Sequence, residues 1–385
     1  MRRRTLTAVL VAVGLSLSAC TSEGGGDDPG ESGTAGSKSG SPGRDDSASP
    51  GGAPAAPAKG DVSVKATVAT GLDSPWGLAP LPGGDLLVSS RDTGKIFRVR
   101  ASDGAKTEVG EVPGVAPGGE GGLLGLAVSP QDRMVYAYFT SDSDNRIVRM
   151  VYEPEKPAGQ QLGAPDVVLR GIPRGSIHNG GRIAFGPDGM LYAGTGETGD
   201  RGLAQDKDSL GGKILRMTPD GEPAPRNPDP DSVVYSYGHR NVQGLAWDAD
   251  KRLWASEFGQ NTYDELNLVE PGANYGWPEV EGKAGDDSYV DPLTQWSTDE
   301  ASPSGVAYAK GSIWMAGLRG ERLWRIPLDG ASLVADPQSF LEGEYGRLRT
   351  VVATDTGDLW LVTSETDGRG SPGDGDDRIL LVTVS

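Results

Sequence analysis

One unit recurs six times along this 385-residue chain: a small residue or Gly, an apolar pair, a turn with Pro, Asp or Gly, and a second short apolar run. It reads Trp76-Gly77-Leu78-Ala79 to Leu87-Val88, Gly125-Leu126-Ala127 to Val135-Tyr136-Ala137, and Arg182-Ile183-Ala184-Phe185 to Leu191-Tyr192-Ala193. It returns as Gly244-Leu245-Ala246-Trp247 to Leu253-Trp254-Ala255, Gly305-Val306-Ala307 to Ile313-Trp314-Met315, and Thr350-Val351-Val352-Ala353 to Leu359-Trp360-Leu361. The repeated Ala positions lie 46 to 62 residues apart, the scale of a four-stranded propeller blade. Most units go on to an alternating strand, such as Ile96-Phe97-Arg98-Val99, Ile214-Leu215-Arg216-Met217 and Leu323-Trp324-Arg325-Ile326. Such alternation suits a half-buried antiparallel strand with Arg turned outward. Long helical periodicity is absent, and 59 Gly, about twice the usual share of roughly 7%, favour turns and short strands. A sandwich or open solenoid could use similar strands, but repeat length and count favour closure about an axis. The expected fold is all-β, a six-bladed β-propeller of four-stranded antiparallel blades over residues 61–385.

The first twenty residues precede the repeat and have a different character. Arg2-Arg3-Arg4, an apolar stretch from Leu6 to Leu17 and then Leu17-Ser18-Ala19-Cys20 follow the order of an export signal. The stretch is too short for a stable membrane span. The tetrapeptide resembles a bacterial lipobox, which makes Cys20 the lipidated N-terminus of an extracytoplasmic, membrane-anchored protein; the plainer reading is a small-residue site in an ordinary signal peptide. Residues 21–60 are mostly Gly, Ser, Pro, Ala and Asp without an aromatic, a composition expected to remain an unfolded tether. A net charge of −18 disfavours nucleic acid and anionic membrane surfaces as partners. One Cys and two His exclude an internal disulfide, a thiolate cluster and a His-rich metal site.

Three polar segments carry chemistry. Ser176-Ile177-His178-Asn179-Gly180-Gly181-Arg182 runs directly into the third inner strand, so His178 falls in a loop at the axial mouth, where an imidazole can act as a base. A lone His is more often structural. Gly238-His239-Arg240-Asn241-Val242-Gln243-Gly244 precedes the fourth inner strand; Arg240 could polarise a carbonyl or grip a carboxylate, or the segment could be a polar turn between blades. The run from Glu257 to Asn267, followed by Gly272-Ala273-Asn274-Tyr275-Gly276-Trp277-Pro278, gathers carboxylates and irregular carbonyls suited to a hard cation such as calcium.

Taken together, these segments resemble the glucose/sorbosone dehydrogenase family, soluble six-bladed propellers that use pyrroloquinoline quinone, and more closely its aldose sugar dehydrogenase branch. The resemblance runs from Leu72 to the C-terminus and includes Gly317-Leu318-Arg319-Gly320 and Gly346-Arg347-Leu348-Arg349. It implies that His178 is the general base on the anomeric hydroxyl of an aldose, with hydride passing to C5 of the quinone to give the lactone, and electrons going on to an unidentified external acceptor. Arg240 would stabilise charge at the C5 oxygen, with Asn241 beside it. Arg319, Arg347 and Arg349 would pair with the cofactor's carboxylates. The carbonyls of Gly259 and Gln260 would hold a Ca2+ that also binds the quinone, and Glu265 with the Tyr275 carbonyl a second, structural Ca2+.

The chain departs from glucose-oxidising members at two sugar-pocket positions and at one cofactor contact. Glu120 stands where they have Gln, Ile177 where they have Asp beside the catalytic His, and Arg319 where they have Lys. Two rival classes stay open: a non-catalytic calcium-binding propeller lipoprotein recognising glycan or a cell-envelope partner, and a metal-dependent lactonase. Retention of His178 with the three arginines argues against the first; the paired Arg347 and Arg349 argue against the second.

Overall fold

The computed structural model describes residues 53–385. Cys20, the export signal and most of the expected tether lie outside the described residues. The described chain is almost wholly strand and turn, with one short 3-10 helix, Arg201–Ala204. No helix among the described residues is long and apolar enough to cross a membrane.

Six antiparallel sheets follow one another as blades of a β-propeller. The first comprises Pro75–Pro80, Leu86–Ser90, Lys95–Val99 and Lys106–Glu111. Inner strands of the next five are Leu123–Val128, Ile183–Phe185, Val242–Trp247, Pro303–Ala309 and Leu348–Ala353. Each repeated unit therefore supplies the inner hairpin of a blade. The alternating strand is the third of four, and an outer strand such as Asp166–Ile172 or Thr294–Ser297 follows it. The sixth blade takes its outer strand from the other end of the chain, because Val62–Ala69 pairs antiparallel with Ile379–Val384. That pairing closes the ring and leaves the first and last blades adjacent.

Apolar side chains from facing sheets fill each of the six interfaces. Tyr136, Tyr138 and Ile147 of the second blade pack with Ile183, Leu191 and Leu215 of the third, and Leu78, Leu86 and Val88 of the first meet Val362 and Ile379 of the sixth. Burial of each large apolar side chain contributes about 1.5–3 kcal/mol, so the interfaces together hold the ring. Glycine at the start of the repeat has a steric cause: a Cβ on Gly125 would lie 2.2 Å from the Gly181 carbonyl oxygen of the next blade.

Two arginines of the alternating strands do not face solvent. Arg216 is buried against Asp188 and Asn227, and Arg325 is fully buried. Arg325 is covered because the end of the expected tether folds onto the fifth blade. There Ala56 donates its backbone N–H to Leu328, and Arg325 donates to the Pro57 carbonyl at 2.8 Å and to Gln338 at 2.9 Å.

Candidate active site

The loops that enter the inner strands converge at one end of the axis around a cavity of about 440 Å3. Six arginines line it, Arg91, Arg240, Arg319, Arg347, Arg349 and Arg369, against three carboxylates, Glu120, Asp264 and Asp367. An excess of guanidinium inside a chain of net charge −18 marks the cavity as a site for an anionic ligand.

His178 reaches this cavity with its backbone in the left-handed region, φ 52°. Non-glycine residues are uncommon there, and tertiary contacts must hold them. The His178 N–H donates to Glu120 Oε2 at 2.9 Å, and its carbonyl accepts from Thr198 at 3.2 Å. Gly196 is required beneath, since a Cβ there would lie 1.9 Å from the His178 carbonyl oxygen. Nδ1 of His178 lies 2.5 Å from Oε1 of the buried Glu197. An ionised carboxylate at that distance places a proton on Nδ1; in the neutral ring Nε2 then carries the lone pair, and it makes no hydrogen bond among the described residues. Glu197 follows the strand Leu191–Gly194 in the Gly-rich run Gly194-Thr195-Gly196-Glu197, and the reading of the sequence did not single it out. A lone acid in a tight glycine loop directly after an inner hairpin was the available signal.

Arg240 is set by a second His–Glu pair. Fully buried His239 lies 2.7 Å from Glu257 through Nδ1 and 2.8 Å from Ser236 through Nε2, and its ring stacks on Tyr275 at 4.5 Å. The other oxygen of Glu257 accepts the Arg240 backbone N–H, which fixes where the arginine leaves the chain. The Arg240 guanidinium donates to the carbonyl of Gly259 at 2.5 Å and lies over the Trp277 ring, while its Nε is buried without a partner. Burial lowers its pKa from the ordinary arginine value, and the Glu197 and Glu257 charges oppose the shift. The loop carrying Gly259 and Gln260 is wrapped around one carboxylate oxygen: Glu281 Oε1 accepts the N–H groups of Gln260, Asn261, Thr262 and Tyr263 at 2.6 to 3.2 Å. Asp264 braces it from the other side through Gly259 N–H at 2.9 Å and Ser302 N–H at 2.6 Å, and burial pushes its carboxyl up to about 6.

Across the cavity, Asp367 holds two arginines on one oxygen, Arg349 at 2.9 Å and Arg347 at 3.1 Å. Burial alone would raise the Asp367 pKa, but the two guanidiniums bring it down to about 2. Arg349 also donates to Ser364 at 2.9 Å, and Nε of Arg347 is buried without a partner. Arg91, not anticipated, joins them through the Asp367 carbonyl at 3.0 Å. Asn241 is buried on the cavity wall, its Oδ1 accepting Gly180 N–H at 2.9 Å. Arg319 sits at the rim, largely exposed and paired with the equally exposed Asp299 at 2.6 Å.

The remaining expected residues divide. Glu120 lines the cavity, with one oxygen on His178 N–H and the other 2.6 Å from Arg369. Ile177 is partly exposed, near Gly199, and does not line the cavity. Glu265 and Tyr275 lie buried within the fourth blade, away from the cavity. Burial and the nearby Glu257 charge push Glu265 well above the usual carboxylate range, and Oδ1 of Asn267, whose amide bonds Glu265 at 3.1 Å, has no partner. Among the described residues no three His, Cys, Asp or Glu side chains gather as a metal cage.

The family model described as Glucose / Sorbosone dehydrogenase matches residues 72–380. A solved structure of the PQQ-bound form of aldose sugar dehydrogenase from Streptomyces coelicolor is 73% identical, covering 86% of this chain and 100% of that one with a TM-score of 0.85. Aldose sugar dehydrogenase YliI of Escherichia coli is 28% identical over 82% of this chain and 92% of its own length. Quinoprotein glucose dehydrogenase B of Acinetobacter calcoaceticus is 31% identical over 66% of this chain and 62% of its own.

Proposed function

This chain belongs to the glucose/sorbosone dehydrogenase family, and from that premise we propose that it is an aldose sugar dehydrogenase using pyrroloquinoline quinone, oxidising the anomeric carbon to the lactone and passing electrons to an external acceptor. The observation that carries the reading is a histidine whose Nδ1 is held by a buried carboxylate and whose Nε2 is left open beside an arginine-lined cavity. The residues present fit a planar tricarboxylate: the cavity carries six guanidiniums, and the buried Nε atoms of Arg240 and Arg347 lack partners. When bound, the quinone supplies the two-electron acceptor, and a calcium ion beside it would supply Lewis-acid polarisation.

The chain's own residues do the rest. His178 Nε2 takes the proton of the anomeric hydroxyl, and Glu197 offsets the charge that the ring then carries. Arg347 and Arg349 hold carboxylates from one wall, and Arg319 does so from the rim once it leaves Asp299. Arg240 and Asn241 face the opposite edge. The Gly259 and Gln260 carbonyls, backed by Asp264, form a hard-oxygen set suited to calcium, with Arg240 bonded to the Gly259 carbonyl in this structure. For a second calcium, buried Glu265, the unpartnered Asn267 Oδ1 and the Tyr275 carbonyl offer oxygens, and a cation would offset the charge of the Glu265 carboxylate. Cys20 belongs to the same reading as a lipid anchor at the outer side of the cell membrane. Fractionation of a Cys20→Ser variant checks it: the protein should move to the soluble extracytoplasmic fraction, and persistent membrane association would remove the lipid from the account.

Sugar selectivity should be broad. Both Glu120 oxygens already accept protein donors, and Ile177 offers no polar group, so the sugar is held at its anomeric end by His178 and by little else. A site with few hydrogen-bonding groups discriminates weakly. Steady-state assays should therefore show activity on several aldoses, including reducing disaccharides, at high KM. A preference for glucose of about 10²-fold or more would mean that other residues supply the missing contacts.

A further inference from the structure

The repeat is broken at one informative place. Four blades carry glycine directly before the apolar pair that ends in Ala, namely Gly77, Gly125, Gly244 and Gly305, and the third carries Arg182. The Arg182 side chain instead reaches across the axis to residues of the fourth, sixth and first blades. Its Nε donates to the Gln243 carbonyl at 2.7 Å and its Nη2 to Thr350 Oγ1 at 3.0 Å, and the guanidinium lies 4.4 Å from the centre of the Trp76 ring. Trp76 and Gln243 line the catalytic cavity, whereas Arg182 lines a second cavity of about 690 Å3 on the opposite side of this layer. The six repeat alanines, one from each blade (Ala79, Ala127, Ala184, Ala246, Ala307 and Ala353), all line that second cavity, a funnel at the other end of the axis. Larger residues there would close it.

Arg182 is nine-tenths buried and makes no ion pair among the described residues, and its guanidinium makes only the two hydrogen bonds given above there. Burial and the nearby Arg349 charge lower its pKa to about 9, and no acidic group acts against them. Asp355, the one carboxylate on the funnel, belongs to the turn after the sixth inner strand, toward the open end. A buried cation is costly without a counter-charge, and an apolar funnel leading to one cation selects a monoanion with an apolar body. We propose that this funnel is a second binding site, for a carboxylate on a short apolar chain, with Arg182 holding the carboxylate and the alanine ring admitting the chain.

Calorimetric titration of the full-length protein in detergent-free buffer tests this with octanoate as probe. Octanoate should bind, while octanol and acetate bind far more weakly, because each lacks one half of what the site recognises. Arg182→Gln should weaken octanoate binding by roughly tenfold or more, with Arg182→Lys keeping part of it. Ala246→Leu should weaken it to a similar degree by filling the funnel without touching the charge, so the test survives if Arg182→Gln does not fold. Arg347→Gln, in the other cavity, should leave it unchanged. Binding lost in Arg347→Gln but kept in Ala246→Leu would place the probe in the catalytic cavity and overturn the proposal. Absence of octanoate binding, or acetate binding as tightly, would also overturn it.

Discussion

His178→Ala should lower kcat for sugar oxidation by about 10²–10⁴-fold while leaving cofactor affinity within a small factor, since a general base acts in the transition state. Glu197→Gln should fall in the same range although the histidine remains. An amide can donate to Nδ1, which leaves the ring proton on Nε2, where no lone pair then faces the cavity. Exchange of an orienting carboxylate for its amide costs about 10⁴-fold in kcat in the serine protease triad, where the tautomer is set the same way. Both variants keep the loop supports, because His178 is held through its backbone by Glu120 and Thr198. Stopped-flow reduction of the loaded protein by sugar is the measurement. Unchanged turnover in His178→Ala would take the imidazole out of the mechanism, and unchanged turnover in Glu197→Gln would make that carboxylate merely structural.

Arg347→Gln should raise the Kd for pyrroloquinoline quinone by about 30-fold or more, the cost of removing one partner from a desolvated charge pair. The variant should still fold, because Asp367 keeps Arg349 at 2.9 Å when Arg347 is gone. Arg349→Gln is the harsher change: Arg349 is more deeply buried and also bonds Ser364, so its loss is expected to mix destabilisation with weakened binding. Arg319→Gln should cost less than either, since that side chain is largely solvated and already screened by Asp299. Equilibrium titration of the three variants gives the order. Equal affinities for Arg347→Gln and the parent would show that the Asp367-held pair does not face the cofactor.

What could be read from the chain followed from local pattern. Each repeat carries its own apolar hairpin, so six inner hairpins were legible from spacing, and His178 and Arg240 stood out in polar segments directly before inner strands, whereas Arg347 and Arg349 were marked only by the resemblance to the family. Val62–Ala69 was not legible as a blade strand, because its partner Ile379–Val384 lies at the other end of the chain. Glu197 and Asp367 escaped for a similar reason. A single acid in a glycine-rich loop looks like any solvated turn until the fold brings His178 or two arginines to it. Arg325 was misplaced outward because alternation cannot show that residues 56–57 will cover that face. Ile177 is adjacent to His178 in sequence, yet the left-handed turn at His178 sends the two side chains to different surroundings.

Reconstitution tests the central claim most directly. Purified protein stripped with chelator should show no sugar-dependent dye reduction, and addition of pyrroloquinoline quinone with calcium should restore it, saturating near one cofactor per chain. Folded protein that binds the quinone and calcium yet reduces no dye with any aldose would contradict the account.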